Sequence, residues 1–315
     1  MQNILLAKRF FLLLLIVASY SNICRAKDTA TPYTNSKFIE IDGFKIHYRT
    51  WMYNDIVSSK EIWILLVHGF AGSTYSWEKN VKCLNDAGYN IIAVDVPPFG
   101  YSHKNIGFNH AVDNRADFLW KFLEEIKPDT HWHLFGHSMG GGIVAAMSIL
   151  NPKKVEKVVF VAPALFNKVT PGRSLKQRLL AFSPIEWTMA KVGKLFLIRK
   201  SRIEKMLETA YGRAGTSEDV TAYYEPLKQK GTARAIISAT TRANPKQTLS
   251  IANFKSEALA VWGTEDTWVP FVDIKPITDK MDNLSIVLIK NTGHNPMETD
   301  SKLFNRLAIE FLELE

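Results

Sequence analysis

The stretch Trp132-His133-Leu134-Phe135-Gly136-His137-Ser138-Met139-Gly140-Gly141-Gly142 decides how this chain is read. Trp132–Phe135 fits a short buried strand, and the small-residue segment 139–150 fits a helix packed tightly on its neighbours. Between them stands a serine with glycine two residues before and two after. Glycine at those places lets a strand turn abruptly into a helix, with strained backbone at the serine. The hydroxyl of Ser138 then stands clear of the sheet, and the amide of Met139 points towards whatever approaches it.

On either side of this turn, strand and helix patterns alternate. Phe38–Ile41 and Phe44–Tyr48 flank Asp42-Gly43, a two-residue hairpin signal. Ile62–Val67 is a continuous apolar run, as expected for a strand covered on both faces. Residues 76–87 read as a helix and Ile91–Val94 as the next strand. Over 111–126 apolar residues recur at helical spacing and stop at Pro128. Val155–Val161, Ala258–Trp262 and Ser285–Ile289 complete a set of eight strands. The alternation predicts an α/β fold: a doubly wound, mostly parallel eight-stranded sheet with ligand sites beyond the strands' carboxyl ends.

Residues 163–252 break the rhythm. They show helical apolar spacing interrupted by Pro171, Pro184, Pro226 and Pro245, and no convincing buried strand. This segment is read as a helical cap inserted over the site end of the sheet. It holds 16 Lys+Arg against 6 Asp+Glu, net +10, although the whole chain is only +8. Residues 1–26 add three more positive charges, so the remainder is net −5 and the surplus belongs to the insertion.

The bulk composition (315 residues, 46% hydrophobic, 22% charged) excludes a disordered, collagen-like or cysteine-stapled chain. At this size folding buries about three quarters of the unfolded surface, enough for one large core. Cys24 and Cys83, the two cysteines, cannot form a disulfide framework or a four-cysteine zinc site. In residues 1–26, Lys8 and Arg9 precede the apolar run Phe10–Ala18. That run is too short for the roughly 20 residues of a spanning helix and fits the ~7–15-residue middle of a secretory signal. Cys24 and Ala26 suit cleavage before Lys27, Ser19 and Ser21 offer a second register, and an uncleaved anchor is the other reading. The expected organisation is 1–26 signal peptide or N-terminal anchor, 27–162 first part of the core, 163–252 cap, and 253–315 second part of the core. The protein is expected to be exported, periplasmic or secreted, or held at a membrane by its N-terminal segment. Cys83, the sole thiol after such cleavage, is expected to pack within its helix.

Four ordered motifs across residues 36–314 resemble the α/β-hydrolase fold family, in particular its cap-bearing serine hydrolase and esterase branch. They are His68-Gly69-Phe70 after one strand, Asp95 to Ser102 after the next, the serine turn, and the late Asp266 and His294. The chain departs from the pattern at Pro98, where the family usually has glycine before Phe99-Gly100, a difference bearing on the wall of the site. Asp266 directly follows the strand 258–262, and His294 follows the strand 285–289, in the family's order of serine, acid, histidine. The resemblance implies Ser138 as nucleophile, His294 as its base and Asp266 as the group orienting the imidazole, with Glu265 the competing acid. It implies an oxyanion site made by the backbone amides of Phe70 and Met139. His68, Gly69, Phe99, His137 and Trp268 are candidates for the substrate pocket. His68 and His137 read as structural neighbours rather than proton carriers, and Asp95 as the anchor of its loop.

Relatives that cleave carbon–halogen bonds or epoxides carry aspartate where this chain has Ser138. Serine implies acyl transfer: hydrolysis of a carboxylic ester, of a lipid or acylglycerol type among others. Carbon–carbon bond hydrolysis or cofactor-free perhydrolysis by the same residues remain alternatives, as does a non-catalytic binder on this scaffold. No metal-ligand cluster, phosphate loop or dinucleotide fingerprint is present in the sequence, so no cofactor is expected. Phe182, Trp187, Phe196, Tyr211, Tyr223 and Tyr224 are aromatic candidates for an acyl pocket. The basic cap has three readings: a solvated face, steering of anionic substrates, or peripheral contact with an anionic membrane. A nucleic-acid partner is not expected.

Overall fold

The computed structural model describes residues 31–53, 63–174, 177, 180–181, 188–192 and 198–314. The chain divides into two compact units, residues 1–36 and 37–315, and the architecture below belongs to the second. The expected leader, Ile62 at the head of its predicted strand, and Phe182, Trp187 and Phe196 lie outside the described residues.

In chain order the strands are β1 (Ser36–Ile41), β2 (Phe44–Trp51), β3 (Trp63–Val67), β4 (Asn90–Val94), β5 (Trp132–His137), β6 (Val155–Val161), β7 (Lys168–Val169), β8 (Leu249–Ser250), β9 (Glu257–Gly263) and β10 (Leu284–Ile289). The helices used below are α1 (Glu78–Asp86), α2 (Val112–Ile126), α3 (Met139–Leu150), α4 (Lys200–Tyr211), α5 (Ser217–Leu227), α6 (Thr232–Thr241), α7 (Phe271–Thr278), α8 (Pro296–Thr299) and α9 (Ser301–Glu313). Eight strands form one sheet in the order β1-β2-β4-β3-β5-β6-β9-β10. β2 runs antiparallel to β4, whereas β4, β3, β5, β6, β9 and β10 pair in parallel. The Asp42-Gly43 turn reverses the chain with both residues at positive φ (+50° and +78°), the geometry that suits the twist of a hairpin.

Every residue of β3 is buried, and its side chains alternate between two cores, as a strand's period of two requires. Trp63, Leu65 and Val67 meet α2 and α3 through Leu119, Phe122, Ile143 and Met147. Ile64 and Leu66 join Trp77, Phe304 and Phe311 on the opposite face. Burying a Leu or Phe side chain contributes about 1.5–3 kcal/mol, so these two layers dominate the stability.

Among the described residues, the segment between β6 and β9 carries the helices α4, α5 and α6. Ile203, Leu207 and Tyr211 of α4 pack with Val220, Tyr223 and Leu227 of α5, and with Ala71 and Tyr75 from the loop after β3. Thr216 and Asp219 cap the start of α5 reciprocally, and Gly212 ends α4 at φ +70°. Two details depart from expectation. β7 and β8, where no strand was predicted, pair antiparallel and join the two ends of the insertion, Lys168 facing Ser250 and Val169 facing Leu249. Two residues per strand leave no periodic signal to read. Cys83 is exposed on α1 rather than packed, because it falls outside the stripe formed by Asn80, Val81 and Leu84.

Candidate active site

Ser138 lies between β5 and α3 at φ +49°, ψ −116°, a conformation costly to any residue but glycine, by about 1–3 kcal/mol. Its backbone is held from several sides. The amide donates to Val161 O at 2.9 Å, and the carbonyl accepts from Gly141 N and Ala164 N, each at 2.9 Å. The flanking glycines are dictated by space. A Cβ at Gly136 would sit 2.5 Å from Gly140 O, and one at Gly140 would sit 2.3 Å from Val67 O. The turn is thus pressed onto the end of β3, and the Ser138 side chain is left partly exposed.

Asp266 follows β9 and is buried. Its Oδ1 accepts from the amides of Trp268 (2.8 Å) and Val269 (2.9 Å), and its Oδ2 accepts from Trp262 Nε1 (3.1 Å). The fourth donor is His294 Nδ1, at 2.8 Å. That bond leaves the lone pair of the imidazole on Nε2. The His294 backbone is equally fixed: its amide donates to Ala210 O at 2.6 Å, and its carbonyl accepts from His137 Nε2 at 3.1 Å. Trp268 stacks on the imidazole at 5.7 Å, with the rings inclined by 21°.

Ser138 and His294 line one cavity with Gly69, Phe70, Trp268 and Tyr223. The Ser138 hydroxyl has no hydrogen-bond partner among the described residues; such bonds often tighten only when substrate is bound. The cavity measures about 40 Å³, room for a few waters at roughly 10–15 Å³ each. A larger cavity of about 370 Å³ among Ile198, Tyr224, Leu227 and their neighbours shares no lining residue with it.

Two amides border the Ser138 side chain. Met139 opens α3, so its N–H has no partner within the helix and carries the helix's positive end. Phe70 follows Gly69, whose Cα is close enough that an added Cβ would lie 3.1 Å from Ser138 Cβ and 2.7 Å from His137 Nδ1. Gly69 and the Ser138 turn are thus in close contact, with the Phe70 amide one residue further along.

The neighbouring histidines are fixed in neutral forms. His68 Nε2 accepts from Val96 N at 2.9 Å while Nδ1 contacts Gly69 O at 2.7 Å, and burial holds its pKa below the ordinary value. Burial, with His294 alongside, pushes His137 well down. Asp95 accepts from Thr74 N (2.6 Å), Tyr101 N (2.6 Å) and His47 Nδ1 (2.7 Å). Burial pushes its carboxyl up, but His47 prevails and the net shift is downward. Asp95 thus knits two loops together, away from the cavity lining.

The family model for the alpha/beta hydrolase fold matches residues 62–301. This chain belongs to that family. Among relatives of this α/β-hydrolase is the uncharacterized hydrolase YugF of Bacillus subtilis, 26% identical over 281 residues, 87% of this chain and 96% of that protein. Another is the 2-hydroxy-6-oxononadienedioate/2-hydroxy-6-oxononatrienedioate hydrolase of Burkholderia vietnamiensis, 27% identical over 299 residues, 90% of this chain and 97% of that protein. The crystal structure of a bromoperoxidase from Bacillus anthracis superposes with a TM-score of 0.67 at 23% identity, covering 89% of this chain and all of that one.

In this α/β-hydrolase, Ser138, Gly69, His137, Trp268 and His294 meet at one cavity, with Asp266 bonded behind His294. Glu265, the competing acid, is exposed. Two pocket candidates need correction. His68 and Phe99 are fully buried and do not line the cavity. They stack edge to face at 6.0 Å, and Phe99 supports Phe70 at 5.0 Å, so they brace the wall from behind. Of the aromatic candidates in the insertion, Tyr223 lines the cavity, Tyr211 is buried beside it, and Tyr224 borders the larger cavity. Met206, Leu207 and Ala210 also line it and were not foreseen. Their helical spacing was visible, but nothing in it says which helix face covers the site.

Proposed function

We propose that this protein is a serine hydrolase that cleaves a carboxylic ester through an acyl-enzyme on Ser138. The observation that carries the reading is a strained, partly exposed serine sharing a cavity with an imidazole whose Nδ1 is bonded to a buried carboxylate. Ser138 Oγ attacks the acyl carbon while His294 Nε2 takes its proton. The amides of Phe70 and Met139 hold the resulting oxyanion. Collapse expels the alcohol, protonated by His294, and water then repeats the sequence on the acyl-enzyme.

Hydrolysis of an oxo-dienedioate, the substrate named for the Burkholderia relative, is the second reading. The cavity lining favours the ester. Its described residues include no lysine or arginine to match two substrate carboxylates, whereas Phe70, Met206, Leu207 and Trp268 offer apolar surface. We extend the proposal to a lipid or acylglycerol ester met at an anionic membrane by the basic insertion, in an exported protein. Among the described residues no helix is long and apolar enough to cross a membrane.

A fluorophosphonate probe and a panel of esters graded by acyl length test this. Labelling of the native protein that vanishes in Ser138→Ala, with turnover of at least one ester, is expected. No labelling and no turnover would reject the enzyme in favour of a binding protein. The same panel with anionic vesicles, with and without salt, tests the membrane contact.

A further inference from the structure

Glu298 is fully buried three residues after Asn295, and the chemistry above does not use it. Its Oε2 accepts from Tyr211 OH at 2.7 Å. Its Oε1 accepts from Tyr223 OH at 2.7 Å and from Asn295 Nδ2 at 2.6 Å. One carboxylate therefore gathers a donor from α4, a donor from α5, and the side chain that directly follows His294. Tyr223 OH also bonds Ser76 Oγ at 2.9 Å, which ties the group to the loop after β3.

The backbone repeats the connection. The His294 amide donates to Ala210 O, one of the last carbonyls of α4, which has no partner inside its own helix. Gly293 lies so close to α4 that a Cβ there would sit 2.4 Å from Ala210 O. The loop bearing the imidazole is thus fastened to the insertion by side chains through Glu298 and by backbone through Ala210. Met206, Leu207 and Ala210 of α4 line the cavity, so the same helix that holds the His294 loop forms a wall of the site.

Resting on the acyl-transfer reading of Ser138, we propose that Glu298 is a positioning residue: it sets the His294 imidazole by locking its loop to α4 and α5, so that the base is aligned only when the insertion is seated. A carboxylate suits this role because it accepts all three donors at once. A protonated carboxyl must itself donate, so one of its partners has to give up its donor role.

Burial raises the Glu298 carboxyl to about 7, against the pull of its three donors, with Asp219 adding to the rise. The other titratable groups around it are Tyr211 on α4, Tyr223 and Asp219 on α5, Tyr75 from the loop after β3, Lys79 on α1 and His294 on its own loop. Burial pushes all three tyrosines up, so they stay neutral. Burial also pushes Asp219 up, but its bonds to Thr216 outweigh that and the net shift is down. Lys79 donates to Glu298 O at 3.1 Å. Glu298 is then a carboxyl of this cluster whose charge changes near neutrality.

The test compares wild type, Glu298→Gln and Tyr211→Phe, the last removing one tether without touching the cavity lining. Hydrogen exchange is followed in 203–211 and 293–299, and fluorophosphonate labelling rates are taken from pH 5.5 to 9. In Glu298→Gln, both segments should lose protection together while β5 and β6 keep theirs. Labelling should slow by up to about 10²-fold, the scale of a small misplacement. The pH profile of the rate should differ from wild type in Glu298→Gln, and Tyr211→Phe should loosen the same two segments. Unchanged exchange in 293–299, or an unchanged rate and pH profile, would overturn the proposal. A wild-type protein that never labels would sink the acyl-transfer reading instead. Exchange then still decides the tie: joint loosening supports it, and independent protection of the two segments overturns it.

Discussion

Replacing Asp266 by asparagine separates the geometry of the site from its chemistry. Asp266 accepts four N–H bonds, two on each oxygen. In the variant, the amide oxygen can stay on Trp268 N and Val269 N, which keeps the loop after β9 in place. The NH₂ group then faces His294 Nδ1 and Trp262 Nε1, both of which donate to Asp266 in the native protein. Trp262 retains Val269 O at 2.8 Å, so the loss to folding is that of one shared hydrogen bond, about 1–3 kcal/mol. His294 can satisfy the new donor only by moving its proton to Nε2, which removes the lone pair Ser138 requires. A base held in the wrong tautomer costs about 10⁴-fold in turnover, or about 5.4 kcal/mol at about 1.36 kcal/mol per decade. Single-turnover kinetics with an activated aryl ester, alongside a urea unfolding curve, measure both quantities. Turnover within tenfold of wild type, with the fold intact, would show that the carboxylate does not set the tautomer and would refute the reasoning.

Three further outcomes follow from individual contacts. Gly69→Ala pushes a methyl against His137 Nδ1 and Ser138 Cβ, displacing the Phe70 amide. Labelling should slow by about 10²–10³-fold, the loss of one oxyanion donor, and an unaltered rate would remove Phe70 from that role. His110 is buried beside Arg115, and burial followed by that charge lowers its pKa to about 3. The unfolded chain therefore binds a proton below about 6.5 that the folded chain refuses, and stability falls as pH drops towards 3, by about 2 kcal/mol at pH 5. His110→Gln should flatten the dependence of the thermal midpoint on pH between 7 and 5; a slope equal to wild type contradicts the assignment. Phe135 of β5 is fully buried, so Phe135→Ala should cost about 3–5 kcal/mol in urea unfolding, and a midpoint barely moved would contradict this.

The strands were legible because buried parallel strands leave continuous apolar runs, and all eight of the predicted strands lie in the sheet. The positions of Ser138, Asp266 and His294 were legible because each lies within five residues of the end of a predicted strand. What the sequence hid depends on contacts far apart in the chain. His68 and Phe99 carry no mark that sends one behind the wall and Gly69 to its front; that is decided by Val96 N reaching His68 Nε2. Glu298 sits in a four-residue helix, too short for a periodic pattern, and its burial depends on two tyrosines more than 70 residues away.

The strain at Ser138 explains why this site, unlike Glu298, announces itself in the sequence. A serine at φ +49° gives up about 1–3 kcal/mol. Its amide and carbonyl make the bonds with Val161, Gly141 and Ala164 that offset this, each worth about 0.5–1.5 kcal/mol. The turn that makes those bonds brings Gly136 against Gly140 O and Gly140 against Val67 O, which forces glycine at both positions. The same pressure that exposes the hydroxyl therefore writes itself into the residues on either side. A buried carboxylate satisfied by tyrosines imposes no such demand on its own neighbours, so its role surfaces only once the helices are in place.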